Sequence, residues 1–138
     1  MSQGPENTFI GSVHKHLPAY VYRMKNHNAY VGGVPDMWYS GSVSDLWVEY
    51  KFIEVPRCGA TLIDLTSGKR PTLSHLQQNW LRSRHEEGRK VGVVVGSKTG
   101  GVWFEGVDWE RPFSAVRFIQ SCSSRSALAQ TIETVCCG

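Results

Sequence analysis

Three charged side chains in the first half of the chain have the types and spacing that can hold a cation beside a phosphate. Glu49 and Lys51 are two positions apart in LWVEYKFI, and Asp36 comes before them in GVPD. Two carboxylates, several waters and a substrate phosphate are ligands that Mg²⁺ typically accepts. A lysine beside such a centre can orient water or neutralise developing negative charge. The set indicates hydrolysis of a phosphodiester with the help of a divalent metal.

The alternation along residues 46–53 places two of these side chains on one face of a predicted strand. Successive side chains of a strand point to opposite faces, so every second residue shares a face. One face is apolar and predicts a buried side, with Tyr50 between Glu49 and Lys51 but on the other side of the strand. The apolar face holds Leu46, Val48, Tyr50 and Phe52, and the second face holds Trp47, Glu49, Lys51 and Ile53.

A predicted hairpin brings Asp36 to this pair. A turn at residues 40–44 joins a strand at 34–39 to the strand that carries Glu49. Cross-strand neighbours in a hairpin lie within side-chain reach, so Asp36 and Glu49 can hold an ion between them. The alternatives are a surface ion pair for Glu49 and Lys51 and a turn or cap residue for Asp36.

Hydrophobic periodicity predicts an α/β chain with helices and strands in a fixed order. Helix, three strands, helix, two strands and helix follow one another, which favours a mixed central β-sheet flanked by helices. The predicted helices lie at 5–17, about 74–87 and 124–136, and the predicted strands at 19–24, 34–39, 46–53, 91–95 and 102–104. Residues 56–72 are predicted to form a loop, and residues 96–101 a hairpin turn.

GVPD followed by WVEYK resembles the motif of the PD-(D/E)XK nuclease superfamily, with Asp36, Glu49 and Lys51 in the motif positions. The segment LSHLQQNWL, ending at Gly88 before VGVVV, is similar to the helix after the motif in the VRR-NUC branch. Small phage endonucleases, among them junction resolvases and free-standing homing endonucleases, have the same arrangement. The resemblance runs from about Glu6 to Val95.

The resemblance implies a restriction-endonuclease-like αβββαβ core in a single nuclease domain, 1–138, with the core at about 5–105 and a C-terminal extension. It implies a phage-encoded endonuclease that hydrolyses double-stranded or branched DNA with Mg²⁺ or Mn²⁺, as a homodimer. A DNA-binding module that keeps the fold without the chemistry is the alternative, and an RNA-directed nuclease is another.

The family usually adds a glutamate from the first helix and a Gln or Lys from the later helix. Glu6 is the candidate for the former, although a carboxylate at a helix start also compensates the helix dipole. Gln77 is the candidate for the latter, because it lies four residues from Leu73 and Leu81 on the predicted inner stripe. That stripe consists of Leu73, Leu76, Trp80 and Leu81. Gln78 is expected to face solvent.

Five cations are candidates for contacts with nucleic acid. They are Lys69, Arg70, Arg82, Arg84 and Lys98. The formal net charge of +3 permits nucleic-acid binding without demonstrating it, so binding requires a local patch. Solvated surface is the alternative for each of them.

The four cysteines lack metal-type spacing and are expected to be free thiols. A zinc site that combines His14 and His16 with distant cysteines is conceivable but matches no known ligand spacing. The sequence contains no apolar run long enough for a membrane span and no secretory signal at its start. We therefore expect a cytoplasmic protein, in the host cytoplasm if the gene comes from a phage.

Overall fold

The segments with alternating hydrophobicity form the strands of a mixed sheet in the computed structural model, which describes residues 4–27 and 32–138. The strands are β1 (Tyr22–Lys25), β2 (Met37–Ser40), β3 (Asp45–Phe52), β4 (Leu62–Ile63), β5 (Val91–Ser97), β6 (Gly100–Glu105) and β7 (Phe113–Ser114). The helices are α1 (Pro5–His14), α2 (His75–Glu86), α3 (Ala115–Ser121) and α4 (Arg125–Cys137), with a 3₁₀ turn at Asp108–Glu110.

Strand β3 lies at the centre of a five-stranded sheet with the order β1-β2-β3-β5-β6. It pairs antiparallel with β2 and parallel with β5, and α2 lies in the connection between the two parallel strands. The predicted hairpin is present, with Trp38 opposite Trp47. The turn predicted at 96–101 is also present, since β5 and β6 pair antiparallel as far as Ser97 and Gly100. The predicted α/β class with a mixed central sheet is confirmed.

Each face of the sheet is covered by its own hydrophobic cluster. The apolar face of β3 packs with α1 and α4 through side chains such as Phe9, Val13, Leu128 and Ile132. Because α4 supplies buried side chains to this cluster, the C-terminal helix belongs to the main core of the fold. The opposite face packs on α2, α3 and the 3₁₀ turn, with Leu81, Phe118 and Trp109 among the buried residues.

Several predicted element bounds were wrong. Helix α1 ends at His14, before Leu17, and the first strand begins at Tyr22. The loop predicted at 56–72 contains β4, which pairs with β7 in a separate two-stranded sheet. The sequence carries no clear period for β7 and α3, and both are short elements whose positions depend on packing. Within the described ranges, no helix is long and apolar enough to cross a membrane.

Candidate active site

Asp36 and Glu49 are held in place by two hydrogen bonds, each from a backbone N–H to one of the carboxylates. The backbone N–H of Asp36 donates to Glu49 Oε1 at 3.2 Å, and the backbone N–H of Tyr50 donates to Asp36 Oδ2 at 3.0 Å. Asp36 lies directly before β2, where the backbone is no longer paired as a strand and its N–H is free to bind a side chain. The hairpin register therefore fixes both carboxylates at the same end of the sheet.

Glu6 joins these two carboxylates from another layer of the fold. Helix α1 packs in the cluster behind β3, but its first turn brings Glu6 to the acidic pair. One carboxylate oxygen from each of Glu6, Asp36 and Glu49 lies within 4.8 Å of the other two. Among the residues that the structure describes, no other group of three acidic, histidine or cysteine side chains has this geometry.

Lys51 supplies a cation beside the carboxylates. Its Nζ lies 3.3 Å from Glu49 Oε2, on the face of β3 that both residues share. The lysine is half-buried, whereas Glu49 is only 2% exposed. An ion pair on an open surface would leave both groups solvated, so the alternative of a surface ion pair does not describe this contact.

Burial and crowding of like charges disfavour ionisation of two of the carboxylates. Loss of solvent and then the negative charge of Asp36, against the opposing effect of Lys51, together raise the pKa of Glu49 to about 8. The pKa of Glu6 is also raised, first by burial and then by Asp36. Three acids are thus concentrated where the nearby lysines compensate them incompletely, which is the condition that a bound cation relieves.

Gln77 reaches the site from the first turn of α2 through a capping box. Ser74 is the N-cap of the helix, and its hydroxyl accepts from the backbone N–H of Gln77 at 3.2 Å. In return Gln77 Oε1 accepts from the backbone N–H of Ser74 at 3.0 Å. The remaining amide group, Nε2, donates to Glu49 Oε2 at 3.1 Å. The capping box therefore orients the Gln77 amide toward Glu49.

The prediction that Gln78 faces solvent was wrong. Gln78 is only 3% exposed, and its Nε2 donates to the carbonyls of Leu73 at 2.8 Å and Thr66 at 3.2 Å. Leu76, placed on the inner stripe by its spacing, is 62% exposed. The error comes from counting helical turns from Leu73, which precedes the N-cap and is not part of α2. The buried positions of the helix are Gln78 and Leu81.

The predicted nucleic-acid cations lie in different surroundings. Lys69 and Arg70 are exposed in the loop before α2, beside Gly68, whose φ of +97° favours glycine. Arg82 is paired with Glu110 at 2.7 Å, and Arg84 with Glu87 at 2.9 Å. Their guanidinium groups also lie over the rings of Trp109 and Trp80. Lys98 is exposed in the turn between β5 and β6.

Among the residues with a described position, the histidines and cysteines do not form the zinc site that they suggested. His14 forms a hydrogen bond with the hydroxyl of Tyr39, and all four cysteines are free, as expected. Burial lowers the pKa of His14 to about 4, with a further contribution from Arg23, so the imidazole is neutral at pH 7. This histidine is therefore a hydrogen-bond partner for a buried tyrosine and not a metal ligand.

Lys25 is a second cation beside the acidic group that the sequence did not single out. Its positive charge lowers the pKa of Glu6, and its Nζ donates to the side chain of Asn7. It is the last residue of β1 and pairs with Met37, the neighbour of Asp36. Arg23 and Lys25 are half-buried along β1 whereas Tyr22 and Met24 are exposed, so Lys25 lies on the more buried side of that strand.

The order of elements and the position of the acidic group define a class of fold. The predicted restriction-endonuclease-like core is confirmed at the level of the fold. The chain is similar in structure to the Holliday junction resolvase Hjc of the archaeal hyperthermophile Archaeoglobus fulgidus, with a TM-score of 0.53. The two chains are 13% identical over 90% of this chain and 99% of the resolvase. No protein-family model and no curated protein sequence matches the chain.

Proposed function

We propose that this chain is a divalent-metal-dependent endonuclease that hydrolyses phosphodiester bonds in branched DNA. The observation that carries the proposal is the meeting of three carboxylates within 4.8 Å beside Lys51. The resolvase-like fold supports a branched substrate, because the similar archaeal protein is a Holliday junction resolvase. The homodimer, the phage origin and the cytoplasmic location expected from the sequence stay predictions.

The donor set fits a divalent cation of the Mg²⁺ or Mn²⁺ type. Glu6, Asp36 and Glu49 offer hard oxygen ligands, and no soft sulfur or imidazole donor belongs to the group. The raised pKa of Glu49 supports the assignment, because a cation stabilises the ionised carboxylate that burial disfavours. These three residues would hold the ion. When bound, such a cation polarises the phosphate ester and lowers the pKa of water.

The remaining residues of the site act on the phosphate and on the carboxylates. Lys51 offers N–H donors beside Glu49, where they can orient the attacking water or neutralise charge that develops on the phosphate oxygens. Gln77 holds one oxygen of Glu49, and the backbone N–H of Tyr50 holds one oxygen of Asp36. These hydrogen bonds fix the carboxylates before substrate arrives, which lowers the reorganisation needed for catalysis.

A substrate panel tests the proposal. The wild-type chain is incubated in Mg²⁺ with labelled four-way junctions, forked duplexes, continuous duplexes, single-stranded DNA and RNA, and Glu49→Gln is the matched control. We expect cutting of branched DNA and no cutting by the variant. Preferential cutting of RNA would instead establish an RNA-directed nuclease. Binding of DNA without cutting in any lane would establish a binding module that keeps the fold.

A further inference from the structure

An apolar cavity lies at the end of the sheet next to the acidic group, and no residue of the proposed chemistry lines it. It has a volume of about 750 Å³ and opens at the carboxyl ends of the parallel strands β3 and β5. Its apolar wall includes Phe52, Ile53, Val55 and Ile119. Two charged side chains, Lys98 and Glu54, also line it.

The cavity begins where the acidic site ends. Ile53 follows Lys51 by two residues and stays in register with β5, because its N–H donates to the carbonyl of Gly96 at 2.9 Å. It therefore lies on the same face as Glu49 and Lys51, at about 6.6 Å along the strand from the lysine. On the other side, Pro5 lines the cavity and directly precedes Glu6. A polymer bound at the acidic group thus has its next unit at the cavity.

A second, smaller cavity continues the same groove along α1. Its volume is about 460 Å³, and it shares Pro5, Phe52 and Lys98 with the first. Arg125 lines it, with its guanidinium over the ring of Phe9. Two cations therefore border the groove, and Lys98 stands where the two cavities meet.

The lining matches the chemistry of a nucleotide whose base is unstacked. Sites for single strands combine cations along the backbone with apolar or aromatic side chains that receive bases. Phe52 and its aliphatic neighbours offer such a surface, and Lys98 is placed to meet a phosphate at the rim. The carboxylate of Glu54 disfavours a phosphate inside the cavity, so the base is the part that enters. A continuous duplex keeps its bases paired and stacked and presents none to this wall.

We propose that this cavity binds the base of an unpaired nucleotide next to the scissile bond, so that the enzyme selects DNA whose strand leaves the duplex at a branch. The inference rests on the proposed function for the position of the scissile bond. The binding site itself can be measured without cleavage.

The experiment measures affinity by fluorescence anisotropy in EDTA, with a forked duplex that carries a single-stranded arm and a continuous duplex of the same length. In further forked probes, one nucleotide at a time near the branch lacks its base. We expect wild-type protein to prefer the intact fork, and removal of one particular base to weaken binding by roughly five- to a hundredfold. Ile119→Ser should cause a similar loss with the intact fork and little further loss with that abasic probe.

Matched variants separate the cavity from the general surface. Ile119 is 56% exposed, and Val116, one turn earlier on α3, is 44% exposed but lies outside the cavity. Val116→Ser should therefore leave the affinity for both probes unchanged. Lys98→Ala should weaken fork binding and reduce its salt slope by about one, whereas Lys90→Ala, at the far end of β5, should have a smaller effect on the fork. Unchanged melting temperatures establish that all variants fold.

Equal affinity of wild-type protein for fork and duplex, or an Ile119→Ser effect that is the same with every probe, would overturn the inference. A cleavage assay in Mg²⁺ then separates this result from failure of the proposed function. If only the inference fails, the chain still cuts DNA and Ile119→Ser cuts the fork as fast as wild type. If only the proposed function fails, no DNA is cut and the base-dependent affinity remains.

Discussion

Both faces of β3 bury polar groups, but the groups on the two faces differ in charge and in their partners. On the core face, the hydroxyl of Tyr50 lies 2.7 Å from that of Tyr39, which in turn lies 2.7 Å from His14 Nε2. These groups are neutral at pH 7, since burial lowers the pKa of His14 to about 4 and raises the pKa of both tyrosines. On the other face, Glu49 is nearly as deeply buried but meets two further carboxylates.

The difference distinguishes a structural polar group from a functional one. Neutral hydroxyl and imidazole groups that satisfy one another stabilise a core at little cost. Carboxylates buried side by side raise the free energy of the folded state unless a cation is supplied. Because both arrangements occur on one strand, the acidic face is not a consequence of poor packing in this region. We infer that it is retained for binding.

The largest expected contrast is between substitutions on the two faces. Asp36→Asn, Glu49→Gln and Lys51→Ala should each reduce cleavage by at least roughly 10³-fold while the chain folds and binds DNA, because each removes a charge from the reacting centre. Tyr50→Phe removes a hydroxyl from the core face and should cost about 1 kcal/mol of stability, with cleavage within about threefold of wild type. Single-turnover rates and thermal melts check both parts. Wild-type rates in all three acidic-face variants would show that the site is elsewhere.

The neighbouring glutamines provide a second contrast, between positioning and folding. Gln77→Ala frees an oxygen of Glu49 and should lower the cleavage rate by about tenfold, with a small loss of stability from the capping box. Gln78→Ala should remove the amide donor from the carbonyls of Leu73 and Thr66, the first buried and the second partly buried, and destabilise the chain by about 1–3 kcal/mol, with a smaller effect on the rate. Rates at saturating DNA and urea unfolding measure the two effects. A larger loss of rate in Gln78→Ala together with a larger loss of stability in Gln77→Ala would contradict the geometry.

A smaller effect is expected from the exposed loop before α2. The double variant Lys69→Ala/Arg70→Ala should weaken DNA binding several-fold at low salt and reduce the slope of log affinity against log salt by about one to two, since each phosphate that a cation neutralises adds roughly 0.9 to the slope. Arg82→Ala is the comparison, because that arginine is already paired with Glu110. Affinity measured at two salt concentrations distinguishes phosphate contacts from solvated surface. An unchanged slope would identify Lys69 and Arg70 as solvated surface.

The smallest effect concerns the stability of the metal-free chain. The folded-state pKa of Glu49 is about 8, above its usual value of 4.5, so the folded chain binds this proton more tightly than the unfolded chain does. Stability therefore falls as pH rises from about 4.5 to 8. Glu49→Gln removes that loss and should melt about 3 °C or more above wild type at pH 8.5 in EDTA, with a smaller difference at pH 5. A difference in melting temperature between Glu49→Gln and wild type that does not change with pH would contradict the raised pKa of Glu49.

The sequence predicted the parts of the site that depend on strand geometry. A period of two and a hairpin turn suffice to bring Asp36 near Glu49 and Lys51, because the register of a short hairpin is strongly constrained. Glu6 was identified as a site residue only through a family resemblance, since the sequence around it does not indicate where the first turn of α1 lies relative to the sheet. Lys25 was missed for the same reason. The prediction that Gln78 faces solvent was wrong because the face on which a residue lies depends on where α2 begins, and the sequence did not fix that start.

Dependence of cleavage on a divalent metal distinguishes a metal-binding acidic site from any other role of these carboxylates. A labelled four-way junction is incubated with the wild-type chain in Mg²⁺, in EDTA, and in EDTA followed by excess Mg²⁺, with Asp36→Asn in parallel. We expect wild-type protein to cut only when the metal is present, cutting to return when Mg²⁺ is restored, and the variant to be inactive throughout. Cutting that persists undiminished in EDTA, or that Asp36→Asn retains in Mg²⁺, would contradict the claim that Glu6, Asp36 and Glu49 form a metal-dependent cleavage site.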